Sequence, residues 1–328
     1  MNKKPVRELL IYRHGHAQDS GYASDFAREL RDKGKRNAQR IGVWLEQNKK
    51  IPDHVLSSPA IRARRTAEKT IKTAGLSSQL VIQREELYRA TVNDLIEVLR
   101  QVPETSGRVM LVGHNPVLEQ LLLALSRTDV LQTDNGSILT PAALALLQLD
   151  CPWSQLENDC ATLNAIVYPK TLPARFPFPD IDSNEMRSRP AYYYSQSSVV
   201  PYRVTEAGLE ILIIASSKKK HWVIPKGIHD PGMTVQDSAA KEAFEEAGIE
   251  GFISGDEIGS YRYPKWDAFC KVKVYPMKVE REIDEADWQE SHRGRQWVSV
   301  QEAVAMVKNE DVKRIVALLP DWLEKHSA

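Results

Sequence analysis

The sequence predicts two domains of different class: an α/β layer fold over residues 1–170 and an α+β fold over residues 191–328, joined by a connector at 171–190. Three observations carry this. Short apolar runs alternate with helix-period segments through the first half, the pattern of strands and helices laid down in turn. Pro169, Pro173, Pro177 and Pro179 crowd one stretch that Pro190 closes, and such density makes a stiff, extended linker. From Ser195 onward strands dominate, interrupted by one helix.

Each element has its own reason. Leu9-Leu10-Ile11-Tyr12 is an apolar run that reads as a buried parallel strand over 8–12 and stops at Arg13-His14-Gly15. Gly15 permits a sharp turn there. Arg28–Gln47 reads as a helix, with Leu30, Ala38, Ile41 and Leu45 on one stripe. Val55-Leu56 is a short strand ending at Ser57-Ser58-Pro59, and a helix follows from Ile61 to Ala74. A strand at 80–82 and a helix at 92–99 lead to a second apolar strand, Val109–Val112, which ends at Gly113-His114. Asn115 is a good N-cap and Pro116 a good first residue for a helix running to Ser126. Strands at 142–149 and 161–167 complete the unit. In the second half, strands at 198–204, 209–215, 221–224, 253–263, 268–279 and 296–298 surround a helix at 234–247, and a helical region covers 300–325. Thr234 with Asp237 resembles a capping box and Gly248 is a natural C-cap.

Composition narrows the function. Lys+Arg and Asp+Glu number 44 each, so net charge argues against a nucleic-acid polymer or a membrane surface as partner. Cys151, Cys160 and Cys270 are scattered without a CxxC pair, which supports neither a disulfide framework nor a zinc knuckle. The residues before the first strand lack the apolar region of a signal peptide, and no run approaches membrane-spanning length, so the expected location is cytoplasmic.

Two constellations carry chemistry. Phosphoryl transfer needs a nucleophile in line and positive charge around the oxygens. Neutral His can attack, and the planar fork of Arg suits phosphate. Arg13-His14 and Gly113-His114 each follow a central strand, where open α/β sheets bind ligands. Arg62 lies on the helix after Ser58-Pro59, with Thr66 one turn on. Arg13-His14-Gly15, Ser58-Pro59-x-x-Arg62-Ala63 and Val112-Gly113-His114-Asn115 resemble the histidine phosphatase superfamily, and within it the small SixA-type phosphohistidine phosphatases. The resemblance implies a three-layer α/β fold over about residues 6–170. It implies His14 as phosphate acceptor, Arg13, Arg62 and His114 as phosphoryl-binding groups, and Arg28 as a further substrate contact. Glu86, in Glu85-Glu86-Leu87-Tyr88, is the candidate general acid. SixA-type members often lack a clear acid, and a good leaving group needs less proton donation. The balance leans toward phosphohistidine or a phosphate leaving group.

The second constellation is Glu242, Glu245 and Glu246, which share one face of a helix. Like charges so placed repel, and Mg²⁺, or Mn²⁺ in its place, relieves this with hard-oxygen coordination that extends to substrate phosphates. Gly227, then Lys241-Glu242-Ala243-x-Glu245-Glu246-x-Gly248-Ile249, resembles a Nudix box. The stretch from Asp287 to Val298 is reminiscent of the branch that acts on diphosphoinositol and diadenosine polyphosphates. This implies a Nudix sandwich over about 190–325, with the three acids holding metal and activating water. Met233 stands where that family has Glu, and Lys241 where it has Arg. Lys cannot reproduce a bidentate fork. Lys218, Lys220 and Lys226, just before the box, read either as a solvated hairpin tip or as cations for a strongly anionic substrate, and Arg293 and Arg295 as further contacts.

Two functions follow. In the first, the chain is a two-site phosphohydrolase: the Nudix half cleaves a phosphoanhydride with Mg²⁺, and the first half removes a phosphoryl group through phospho-His14. In the second, the first half dephosphorylates a phosphohistidine protein, and the Nudix half is a nucleotide or polyphosphate sensor.

Overall fold

A computed structural model describes residues 6–19, 21, 23–127, 136–178 and 185–326. The chain divides into two compact units, residues 1–176 and 177–328. The division falls inside the proline-rich stretch.

The first unit is built on a six-stranded sheet. Its elements are β1 (Arg7–Arg13), α1 (Asp32–Gln47), β2 (His54–Ser57), α2 (Ile61–Thr73), β3 (Val81–Gln83), α3 (Val92–Arg100), β4 (Arg108–Gly113), α4 (Val117–Leu125), β5 (Leu144–Leu149) and β6 (Ala161–Val167). The strand order is β3-β2-β4-β1-β5-β6. The first four run parallel, β5 pairs antiparallel with β1, and β6 pairs antiparallel with β5. Alternation along the buried strands explains the layers. Leu9, Ile11, Val109 and Leu111 pack under α3 and α4. Leu10, Tyr12, Met110 and Val112 pack under α1 and α2 on the other face. A strand apolar on both faces is what a central parallel strand requires.

Two local expectations need correction. Periodicity predicts α1 from Arg28, yet it begins at Asp32. Leu30 is buried through an isolated bridge to Ala17, and the Arg28 Nε donates to the Gln18 carbonyl at 2.6 Å. Long-range pairing therefore keeps 28–31 extended. Asn115 is not the N-cap of α4. Pro116 holds that position, while the Asn115 amide donates to Glu119 Oε1 at 2.6 Å and to the Leu139 carbonyl at 3.1 Å. At Gly15 a side chain would obstruct the backbone, as the turn there implies: a Cβ would sit 3.0 Å from the Gly34 oxygen.

At the junction, β7 (Phe176–Pro177) pairs with β8 (Met186–Arg187). The Phe178 amide also donates to the Glu185 carbonyl at 2.9 Å. This part of the stretch is therefore a short ladder, not a plain extended linker; Pro179 lies outside the described residues.

The second unit contains β9 (Ser195–Thr205), β10 (Gly208–Ala215), β11 (Trp222–Val223), β12 (Lys226–Ile228), α5 (Val235–Ala247), β13 (Ile249–Ile253), β14 (Gly259–Lys265), β15 (Ala268–Glu282), β16 (Arg295–Ser299), α6 (Val300–Met306), α7 (Glu310–Ala317) and α8 (Leu319–His326). These eight strands form one mixed sheet, with β9 central between β10 and β15. Its two faces hold separate cores. Ala239, Ala243 and Ala247 of α5 lie on Val199, Leu212, Ile214 and Met277. Ala303, Val312, Ile315, Val316 and Leu319 cover Val200, Ile211, Ile213, Val272 and Val274. Small alanines let α5 approach the sheet closely, which sets its acidic face near β12. The Thr234 hydroxyl accepts from the Asp237 amide, and Gly248 ends α5 at φ 60°, as the capping residues imply.

Candidate active sites

Parallel register assembles the first site. Arg13 aligns with Gly113, and Ser57 with Val112. The residues that follow β1, β2 and β4 therefore emerge side by side. The His14 and His114 rings lie 5.1 Å apart. His14 Nδ1 is 2.7 Å from the Gly15 carbonyl. A carbonyl only accepts, so Nδ1 carries the proton and Nε2 presents its lone pair. Arg62 Nε points at that Nε2 from 3.3 Å. Burial, then the neighbouring His114, Arg62 and Arg13 charges, pushes the His14 imidazole down to about 3. Burial and Arg62 push His114 down to about 4. Both rings are therefore neutral near pH 7. His114 Nε2 lies 2.9 Å from the Ser58 hydroxyl. Its Nδ1 is buried and has no partner among the described residues, an atom free to meet a phosphoryl oxygen. Thr66 locks the turn: its hydroxyl donates to the Arg62 carbonyl at 2.6 Å and accepts from the Gly15 amide at 3.0 Å.

Arg13 is aimed by a relay. Its Nη1 donates to the Leu139 carbonyl at 2.6 Å. The half-buried Glu119 carboxylate holds that segment by accepting from the Ile138 and Leu139 amides at 3.0 and 2.8 Å.

The other first-unit candidates bond groups other than the histidines. Arg28 is engaged with Gln18, Asp25 and Asp19. Glu86 is exposed and pairs with Arg84 at 2.8 and 3.2 Å, which holds its carboxyl down to about 2. A carboxylate ionised to that degree does not serve as a proton donor near neutrality. Sequence reasoning missed Asp25, which bonds Arg62, and Glu119. Only tertiary contacts reveal them.

The second site gathers on α5 and β12. The Glu242 carboxyl occupies the space over Gly227, where a Cβ would fall 1.8 Å from its Cδ. Burial, then Glu246 and Glu245, pushes Glu242 up to about 7. Glu246 accepts from the Lys226 amide at 2.9 Å and from Arg293 Nη2 at 2.6 Å, while burial raises its carboxyl. Lys241 donates to Asp230 at 2.7 Å and lies 3.8 Å from Glu245. It thus ties the loop before α5 to the acidic face with one point charge in place of a fork. Arg295 instead caps α5, donating to the Ala247 and Gly248 carbonyls at 2.9 and 2.6 Å. Lys226 lines a cavity of about 410 Å³ with His221, Tyr261, Tyr263 and Asn309. Lys218 and Lys220 are exposed on the turn between β10 and β11 and do not line it.

Among the described residues, no three His, Cys, Asp or Glu side chains form a ready-made metal cage. The donor chemistry still fits Mg²⁺ or Mn²⁺: three hard carboxylates crowd one helix face, and the charge of Glu242 is poorly compensated. Gly227→Ala is expected to drive the Glu242 carboxyl out of its seat. Anhydride turnover should fall about 10²-fold or more, with the fold kept, as read by kinetics beside circular dichroism.

Both sites are thus built to handle phosphoryl oxygens, and the two units define a phosphohydrolase. Residues 9–88 match the histidine phosphatase superfamily (branch 1), and residues 195–319 match the NUDIX domain. The histidine phosphatase match lies in the first unit and the NUDIX match in the second, and the chain is a hydrolase. It is 29% identical over 140 residues to Nudix hydrolase 12, mitochondrial, of Arabidopsis thaliana, covering 36% of this chain and 68% of that protein. It is 30% identical over 162 residues to an uncharacterized protein of Mycobacterium tuberculosis, covering 48% of this chain and 99% of that one. A solved structure described as a putative phosphohistidine phosphatase SixA from Nakamurella multipartitia is 26% identical. Its TM-score is 0.43, and the match covers 50% of this chain and 96% of that one. Among the described residues, no helix is long and apolar enough to cross a membrane.

Proposed function

We propose that the chain is a two-site phosphohydrolase in which His14 accepts a phosphoryl group and the acids of α5 support cleavage of a phosphoanhydride. The observation that carries the first half is the His14 geometry: a neutral ring, its Nδ1 tied to a carbonyl and its Nε2 lone pair facing the Arg62 Nε–H at 3.3 Å, beside Arg13 and His114. Nε2 attacks phosphorus, the bond to the leaving group breaks, and water then cleaves the phosphorus–nitrogen bond to release phosphate. The guanidinium groups and His114 Nδ1 meet the charge that builds on the oxygens. Arg84 holds Glu86 ionised in the free protein, which suits substrates whose leaving group needs little protonation.

In the second half, Glu242, Glu245 and Glu246 would hold Mg²⁺. The metal, when bound, polarises the phosphoryl oxygens and lowers the pKa of a water. Glu245 pairs only loosely with the protein, with Lys241 at 3.8 Å, and would take the proton from the attacking water. Lys226 and the tyrosine-lined cavity next to Glu246 would receive the rest of the substrate. The two chemistries in one chain suit a small anionic substrate processed in series, because linkage raises the local concentration of the intermediate. A cytoplasmic setting is part of this reading.

One observation favours the sensor reading of the Nudix half: Met233 and Lys241 stand where the Nudix box has Glu and Arg. Tight polyphosphate binding with Mg²⁺ but without turnover would establish it.

The depressed histidines give a pH prediction. Imidazole is nucleophilic only above its pKa, so lowering that value extends activity toward acid. Phosphorylation of His14 should hold its rate from pH 8 to about pH 5 and fall only as pH approaches about 4, with no inflection near the ordinary His value of about 6.5. Rapid-quench measurement of the phospho-enzyme burst would show it. An inflection near 6.5 would contradict a buried neutral nucleophile.

A further inference from the structure

The phosphate fork of the first site is already filled by the protein itself. Arg62 is buried, its side chain 7% exposed. Its Nε faces His14, Nη1 donates to the Asp25 carbonyl at 2.5 Å, and Nη2 donates to Asp25 Oδ2 at 2.8 Å. The same carboxylate accepts from Arg28 Nη1 at 2.9 Å and from the Tyr88 hydroxyl at 3.2 Å. The Arg28 hydrogen bond, followed by those of Arg62 and Tyr88, holds its carboxyl down to about 2, so it is an anion at any working pH. Tyr88 in turn packs edge-on against Phe26 and His114, at 5.2 and 5.9 Å between ring centres. A carboxylate therefore sits within the ring of groups that bind phosphate.

A carboxylate and a phosphoryl group present the same chemistry to a guanidinium: oxygens spaced for paired N–H donors. Two anions cannot share the Arg62 Nη2 donor without strong repulsion. The partners differ in freedom. Arg62 is fixed in α2, whereas the Asp25 side chain is half exposed on the segment between β1 and α1. When a phosphoryl group arrives, Asp25 is the one able to leave for water.

We propose that Asp25 is an internal competitor for the phosphoryl group: it occupies Arg62 in the free protein, yields to the substrate, and returns to displace inorganic phosphate after hydrolysis. This rests on the phosphatase reading of His14 and goes beyond it by making Asp25 a specificity-determining residue. Every oxyanion must displace the carboxylate. Bare phosphate has only the fork with which to do so, whereas a substrate also contributes the contacts of its leaving group. The device thus selects against product.

The test is anion binding to the full chain by calorimetry, at fixed ionic strength, with inorganic phosphate and with tungstate. Asp25→Asn keeps the side-chain shape and the main-chain bond to Arg62, and removes the charge. Both anions should bind about tenfold tighter or more. On p-nitrophenyl phosphate KM should fall, and kcat should fall as product release slows. Asp25→Glu, which restores a carboxylate, should return the affinities toward wild type. If Asp25 merely braces Arg62, the Asn variant binds both anions more weakly or unchanged, and the proposal is overturned. Acid-labile phosphate at His14 is scored separately. Tighter anion binding without a phospho-enzyme leaves the competitor in place and removes the phosphatase reading. A trapped phospho-enzyme with unchanged affinities does the reverse.

Discussion

His14→Ala is expected to lower phosphatase turnover about 10⁴-fold or more, because the nucleophile and the covalent route vanish together. The effect should be specific to chemistry. The ring bonds the Gly15 carbonyl and Arg62 Nε and belongs to neither hydrophobic core, so the central strands stay packed without it. Anion binding at Arg13, Arg62 and His114 should survive in the variant, since those side chains are positioned by Leu139, Asp25 and Ser58. Steady-state kinetics with p-nitrophenyl phosphate, with acid-labile phosphate scored on the protein, checks both points. Retained turnover in His14→Ala would mean that another group attacks phosphorus.

Glu245→Gln is the second large effect. Anhydride cleavage should fall about 10³-fold, the size of losing a general base and a metal-binding oxygen together. Glu245 is preferred over its neighbours for a physical reason. Glu246 holds the Lys226 amide and Arg293, so its loss also disturbs the loop that precedes α5. Glu242 fills the space over Gly227. Among the described residues, the Glu245 carboxylate pairs with Lys241 alone, at 3.8 Å. Its amide keeps size and helix propensity while removing the charge, so substrate binding with Mg²⁺ should remain measurable as turnover disappears. A variant that keeps both would move the catalytic role elsewhere on α5.

Both sites were readable in the sequence wherever function sits on local pattern. The two central strands announce themselves as apolar runs, and each ends on its histidine. The acids of α5 fall on one face by helical periodicity alone, and their alanines mark the opposite face. What stayed hidden depends on partners far along the chain. Asp25 meets Arg62 across 37 residues, and Glu119 reaches the Leu139 segment across 20; neither carries a spacing signal. The same cause moves the start of α1, because the bridge between Ala17 and Leu30 overrides a helical stripe that includes Leu30. Asn115 shows the limit of capping preferences: its side chain is held by Nδ2 bonds to Glu119 and the Leu139 carbonyl, and the cap position falls on Pro116. Arg295 looks like a substrate contact from its charge, yet the free carbonyls at the end of α5 claim it. Cation runs such as Lys218–Lys220 say little about location, since a solvated turn and a substrate clamp share one composition.

The central claim is that the two sites act in series on one molecule. Phosphorus NMR of product formation, with Mg²⁺ and a small panel of nucleoside and inositol phosphoanhydrides, tests it most directly. Wild type, His14→Ala and Glu245→Gln would be compared on the same substrates. The account predicts that Glu245→Gln leaves the anhydride intact and that His14→Ala lets a monophosphate accumulate, which wild type converts to inorganic phosphate. If no anhydride is cleaved while phosphohistidine is dephosphorylated through His14 alone, the Nudix unit does not act as a hydrolase on this panel and the two-site account is contradicted.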